Sequence, residues 1–503
     1  MGNSPASPNV VENGWPPFKR LSRIRRFLIL LLFGFLAHDP AAKAQPSADL
    51  WVSAYFAGWK QGPANDGSLP ADDIDFTALT HIIHFSIVPN RDGTLDLASN
   101  NITEINSSRL VSLAHAAGKK VLISLGGWGS DVGFRGATDP SNLNSFVDRL
   151  MNFMTSRGYD GFDIDWEVLQ DYDSQQYSRF VELLSTRCSA INPRPLMTAA
   201  VASQPTLIAA LEKYFDQILI MTYDFSGAWP GWVTWHNSPI KDGGVQFPGT
   251  ARTLPSVDKM ADDFIAAGLP KQKLGIGIDF YGYVWSGGSG TPTIGASAPG
   301  QSWTTPPHVE ANVPYFTIYK DYYRPEYYRW DTLAQAAYLS IHPSPDLADK
   351  FVSYDDEHTC RSKVEYAKSK GIGGDFIWEL GGGYLPATFP ERDRLLRAVK
   401  AATMGGQAPL RAPLLESPRD GTKITEADPV FRWHPVPGAT SYLVQISSDA
   451  AFKSVTIRDS VISDTLARVR KLKSGSAFYW RVGASNRSTT SPFSNTWSFR
   501  MSK

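Results

Sequence analysis

From Trp51 onward the chain alternates short apolar runs with longer amphipathic ones. The short runs predict strands at Trp51–Tyr55, His81–Val88, Lys120–Leu125, Gly161–Glu167, Leu196–Val201, Gln217–Tyr223, Lys273–Phe280 and Gly373–Trp378. Between them, apolar residues recur at helical spacing over Glu104–Ala117, Leu143–Arg157, Ser174–Ala190, Ser256–Ala267 and Glu357–Lys370. Eight alternations of this kind predict an α/β fold, a (β/α)8 TIM barrel, whose functional groups gather at the C-terminal strand ends. Glu167, Tyr223, Asp224 and Trp378 all fall at such ends.

The barrel is expected over residues 45–402, with an insertion at about 284–345 between the seventh and eighth strands. That gap holds a Gly/Ser/Pro-rich stretch, Ser286–Gly300, and aromatic-rich segments at Pro314–Tyr323 and Tyr327–Trp330. A connection so long carries structure of its own or a function. Past it the pattern changes. Residues 403–412 read as a linker, and over 413–503 the runs Phe431–Trp433, Ser441–Ile446 and Phe478–Val482 alternate with period two between turn residues. That spacing predicts a small all-β sandwich and resembles a fibronectin type III module. Trp433, Tyr442, Trp480 and Trp497 lie on its strands and read as core rather than as a sugar-binding strip.

At the other end, Lys19, Arg20, Arg23, Arg25 and Arg26 precede the apolar stretch Phe27–Ala37, and Ala42-Lys-Ala44 offers a small-x-small cleavage site. Residues 1–44 therefore predict a secretory signal and an N-terminal extension, and the mature protein is expected outside the cytoplasm. The apolar stretch is shorter than the roughly 20 residues that span a bilayer, so a permanent anchor fits less well. Charge adds an exclusion: 49 basic and 49 acidic side chains give no pull toward nucleic acid or anionic membranes. Two cysteines, Cys188 and Cys360, cannot make a disulfide scaffold, and both fall in helical patterns as expected free thiols. No metal-type Cys/His cluster is visible, and neither a cofactor nor a partner chain is expected.

The candidate chemistry lies in Asp160-Gly-Phe-Asp-Ile-Asp-Trp-Glu167. Phe162, Ile164 and Trp166 alternate with Asp163, Asp165 and Glu167, so one strand face is apolar and the other carries three acids. Asp165 and Glu167, two residues apart, project the same way about 6–7 Å along the strand. Adjacent carboxylates repel, and one can keep its proton near neutral pH. A protonated carboxyl is what glycosidic cleavage needs, since the departing sugar oxygen must receive a proton. A calcium loop would want glycine at its sixth position and glutamate at its twelfth, on a flexible turn. A solvent-facing strand would mix in Lys, Thr and Ser.

These residues resemble the D-G-x-D-x-D-x-E pattern of glycoside hydrolase family 18 chitinases. Ser124-Leu-Gly-Gly127, Met221-Thr-Tyr-Asp224 and Gly373-Gly-Asp-Phe-Ile-Trp-Glu379 resemble three further signatures of that family, in its order, and the likeness runs from about Trp51 to Lys400. The resemblance implies a chitinase acting on chitin or chitooligosaccharides as a monomer, with an N-glycan endo-β-N-acetylglucosaminidase or a non-catalytic lectin as alternatives on the same fold. It implies Glu167 as general acid and base, and Asp165 as a group turning between Asp163 and the substrate acetamido. Tyr223 and Asp224 would hold the acetamido sugar, and Trp378 would form the pocket floor. Tyr55, Gly126, Gly127, Met221 and Trp229 are implied as further substrate-binding positions. The chain departs from many relatives at Val168-Leu169, where they carry Tyr-Pro, and at Gly282-Tyr283, where they carry Gly-Arg.

Overall fold

Eight parallel strands close on themselves in the computed structural model, which describes residues 50–62, 67–291, 295–342, 349–389, 391–404, 410, 412–436, 439–486 and 490–502. They are β1 (Trp51–Ala57), β2 (His81–Pro89), β3 (Lys120–Gly127), β4 (Gly161–Trp166), β5 (Leu196–Val201), β6 (Gln217–Ile220), β7 (Leu274–Asp279) and β8 (Gly374–Trp378). Each pairs in parallel with the next, and β8 returns to β1 through Trp51↔Gly374 to Ala54↔Ile377. The expected signal peptide lies outside the described residues, as do positions 405–409 and 411 of the expected linker.

Strand alternation sorts the side chains into two layers. Val52, Ala54, Ile123, Leu125, Phe162, Ile164, Ile218, Ile220, Ile276 and Ile278 face outward into one large core with the helices. Tyr55, Ile83, Phe85, Leu122, Leu219, Tyr223 and Phe376 belong to a second cluster within the ring. Both faces of every barrel strand are thus buried, which is why these runs read as nearly continuous apolar stretches. On β4 the inward positions hold Asp163 and Asp165 instead, both buried. Replacing apolar filler with carboxylates at the barrel centre costs stability, so their presence points to chemistry.

Helices run at Glu104–Ala116, Leu143–Arg157, Ser174–Ser189, Val257–Ala266 and Glu357–Lys370. Their ends follow from local chemistry. Thr103, Ser256 and Asp356 accept from backbone N–H groups at three N-termini, and Gly158 and Gly371 close two C-termini at positive φ. Cys188 and Cys360 are buried and unbridged within two of these helices.

Between β7 and β8 stands a five-stranded antiparallel sheet in the order His308–Pro314, Tyr281–Ser286, Lys350–Tyr354, Ala336–Ile341, Tyr328–Asp331. Its second strand in that order follows β7 after the single residue Phe280, so it starts at the C-terminal mouth of the barrel. Tyr281, Tyr283 and Trp285 alternate onto the face that joins the inner cluster.

The C-terminal residues form an all-β unit of two sheets. One orders Leu415–Ser417, Val430–Trp433 and Leu466–Arg468; the other orders Thr422–Ile424, Trp497–Met501, Ala477–Ser485, Ser441–Ser447 and Val455–Ile462. Phe431 of the first sheet meets Trp480 and Phe499 of the second at 4.9 and 5.2 Å between ring centroids. Trp433, Tyr442 and Trp480 are buried in this core, with Trp497 partly buried against it.

Candidate active site

Asp163 is fully buried and saturated with donors. Its Oδ2 accepts from Tyr55 Oη at 3.0 Å and Ser124 Oγ at 2.8 Å, and its Oδ1 accepts from Thr198 Oγ1 at 2.6 Å. Three strands besides its own thereby fix one carboxylate. Burial raises its pKa, and the three hydroxyls pull the other way.

Asp165 has no such set. Its Oδ1 is buried without a hydrogen-bond partner, while the carboxyl shares a hydrogen bond with Glu167. Burial first, then the charges of Glu167 and Asp163, push it well above its usual range. Glu167, just past the end of β4 and half-buried, is lifted to about 7 by burial, with the nearby Asp224 charge adding to the rise and the Asp165 hydrogen bond opposing it. Three acids in one row cannot all ionise, so the Asp165–Glu167 pair keeps a proton close to neutral pH.

Two strands further round the barrel lies the end of β6. The sequence pattern extends this strand to Tyr223, but the ladder stops at Ile220. There the Thr222 hydroxyl takes the place of a backbone partner, accepting from the Gly277 N–H at 2.8 Å. Tyr223 is buried, edge-on to Tyr281 and Phe376 at 6.0 Å each. Asp224 adopts the left-handed backbone at φ 59° and is exposed at the surface of the cleft. Protein nevertheless hems in its carboxyl and raises its pKa, against the hydroxyls of Tyr281 and Tyr283, which both donate to Oδ1 at 2.6 and 2.9 Å. Neither tyrosine was singled out as a site residue from sequence. The signal was present in their period-two spacing after β7, at the position where the chain departs from the Gly-Arg pattern.

Trp378, at the end of β8, is half-buried and packs edge-on against Tyr55 and Phe85 at 5.2 and 4.7 Å. Tyr55 therefore touches both Asp163 and this tryptophan. Gly126 and Gly127 lie at φ 106° and 103°, and an added Cβ would fall 2.1 Å from the Asp165 carbonyl oxygen or 2.4 Å from the Phe85 ring. Their visible role is to let β3 approach Asp165 and Phe85 closely. Met221 is half-buried against the inner cluster. Trp229 is exposed, and its ring contact is with Trp232 at 4.6 Å. The sequence reading passed over Trp59 and Trp128, which follow β1 and β3 and are 44% and 83% exposed. Exposed tryptophans at the mouth of a barrel are candidates for stacking on a ligand ring.

A proton-holding carboxyl beside a buried acid, at the C-terminal mouth of a TIM barrel, is a site suited to general-acid catalysis. The chain belongs to the glycosyl hydrolases family 18, whose model matches residues 52–383. It is 30% identical over 361 residues to a probable endochitinase of Caenorhabditis elegans, covering 67% of this chain and 57% of that protein. It is 27% identical over 426 residues to chitinase A1 of Niallia circulans, covering 77% and 56%. The chain thus spans little more than half the length of these relatives. Among solved structures, a Group IV chitinase of Ostrinia furnacalis superposes with a TM-score of 0.59 at 23% identity, covering 71% of this chain and all of that one. The chitinase ChiA74 of Bacillus thuringiensis gives 0.58 at 19%, covering 90% and 85%. These superpositions show the fold.

Proposed function

We propose that the protein is a chitinase that hydrolyses β-1,4-linked N-acetylglucosamine chains with retention of configuration, using the substrate's own acetamido group as nucleophile. The observation that carries this reading is the buried Asp165 carboxyl, which shares a hydrogen bond with Glu167 and whose Oδ1 accepts from no donor of the protein. An acetamido N–H supplies the missing donor. Glu167 gives its proton to the glycosidic oxygen as the C1–O bond breaks, and the acetamido carbonyl oxygen bonds to C1. Water then attacks C1, Glu167 takes the water proton, and the acetamido is released. Two displacements at C1 return the β-configuration. Holding an intramolecular nucleophile at C1 is worth a high effective concentration.

Tyr223, whose phenol stays protonated through burial, donates to the acetamido carbonyl, and Asp224 holds the same sugar. Trp378 lies beneath that ring, with Met221 and Trp229 completing the binding surface and the buried Tyr55 backing Trp378 from below. The ordered sheets after Leu415 support a fibronectin type III-like module that spaces the barrel from a surface rather than binding sugar, since its large aromatics are core. Export fits the basic and apolar N-terminal pattern, and among the described residues no helix is long and apolar enough to cross a membrane. Assay of chitooligosaccharides beside a high-mannose glycoprotein tests the substrate. Cleavage of the oligosaccharides alone is expected; release of the glycan would assign the N-glycan activity instead.

A further inference from the structure

Lys363 is a lysine with no exposure at all, and it lies outside the site described above. Asp356 caps the helix Glu357–Lys370, and two turns later that helix carries Lys363 inward against the end of β7. Its Nζ donates to Asp279 Oδ1 at 3.0 Å and also meets Asp355 and the Ser238 hydroxyl. Burial alone would lower its pKa. The Asp279 and Asp355 carboxylates outweigh burial, and the pKa is raised.

From this cation two hydrogen-bonded arms lead to the same corner of the chain. In the first, Asp279 Oδ2 accepts from Asn237 Nδ2 at 2.6 Å, and Asn237 Oδ1 accepts from the Asp224 backbone N–H at 3.1 Å. In the second, Ser238 Oγ donates to the Thr222 carbonyl. The arms end on residues 222 and 224, one on each side of Tyr223. A backbone at φ 59° is uncommon outside glycine, although aspartate tolerates it better than most side chains, and Asp224 holds it where the β6 ladder has already ended. Something must over-determine that geometry. Asn237 is itself fixed from behind, its N–H donating to Ser353 Oγ at 2.7 Å.

We propose that Lys363 is a positioning residue for the Tyr223–Asp224 corner, acting through Asp279–Asn237 on one arm and Ser238 on the other. It touches no substrate. It sets the direction in which the phenol and carboxylate face the cleft, and this role rests on the reading that those two groups hold the reacting sugar.

The test is a double-mutant cycle with a soluble chitooligosaccharide. Lys363→Met is expected to lower kcat/KM by about tenfold or more with Asp224 intact, and by a clearly smaller factor in an Asp224→Asn background, where only the positioning of Tyr223 is left to lose. Equal losses in both backgrounds would overturn the proposal, because a merely structural lysine does not sense Asp224. Lys363→Met leaves Asp279 and Asp355 facing each other unneutralised; if it fails to fold, Asn237→Ala cuts the first arm while sparing the ion pairs and enters the same cycle. A crystal structure of the folded variant decides the matter independently of substrate. Asp224 leaving the left-handed region, with its Tyr281 and Tyr283 contacts broken, is expected. An unmoved Asp224 would overturn the proposal even where the oligosaccharide is cleaved, and absence of cleavage by the unaltered protein counts against the chitinase reading alone.

Discussion

At Glu167 the carboxyl sits half-buried, hydrogen bonded to Asp165 and facing the charge of Asp224. As the acid it works only while protonated, so kcat/KM on a soluble oligosaccharide is expected to fall as pH rises through about 7. Removing a neighbouring negative charge favours the ionised glutamate. Asp224→Asn should therefore move this limb to lower pH, apart from any loss in rate, and a pH–rate profile of both proteins checks it. A limb that stays in place or moves to higher pH would show that Asp224 does not act on Glu167. The acids were legible in the sequence because alternation with Phe162, Ile164 and Trp166 places them on one strand face. The phenols of Tyr281 and Tyr283 on Asp224 were not, because they come from a strand nearly sixty residues further along the chain. Lys363 was hidden for the same reason: its helical pattern is ordinary, and only the fold turns it inward to Asp279.

Among the elements, the eight barrel strands read directly because burial on both faces writes them as apolar runs. β6 read too long, since Met221 to Tyr223 continue the apolar pattern after the Thr222 hydroxyl has replaced the backbone ladder. The strand Tyr281–Ser286 was not read as a strand, because the expected one ended at Phe280, the single residue that separates it from β7, and the short antiparallel strands beyond it were masked by Gly- and Pro-rich turns. β8 carries a liability of its own. Asp375 faces the helix layer with both carboxylate oxygens buried and unpartnered, and burial lifts its pKa from 3.8 to about 7, with Lys363 and Lys368 opposing. The folded state thus binds the proton more tightly than the unfolded chain does. Its contribution to stability is whole below about pH 3.8 and is lost as pH rises through about 7. Asp375→Asn removes the ionisation, so its stability relative to the unaltered protein should improve between those limits. At about 1.4 kcal/mol per pKa unit, the gain at pH 8 is on the order of a few kcal/mol. Urea unfolding at pH 4 and pH 8 measures it, and an equal difference at both would refute the assignment.

For the whole molecule, the motif residues all lie within the matched span 52–383, and the C-terminal sheets have a core of their own. Truncation after Met404 is expected to leave turnover of soluble oligosaccharides unchanged and binding to insoluble chitin little altered. Strong chitin binding by the isolated C-terminal unit would show that its aromatics do more than fill a core. The central claim is that Glu167 and Asp165 cleave only sugars that bring their own acetamido nucleophile. Its most direct measurement follows by NMR the hydrolysis of a chitin hexamer and of the fully deacetylated hexamer, with the unaltered protein and Glu167→Gln. The expected result is cleavage of the acetylated hexamer alone, with the β-anomer appearing first, and a loss of about 10²–10⁴-fold in the variant. Comparable cleavage of the deacetylated hexamer, an α-anomer as first product, or a variant that keeps more than about a tenth of the turnover would contradict it.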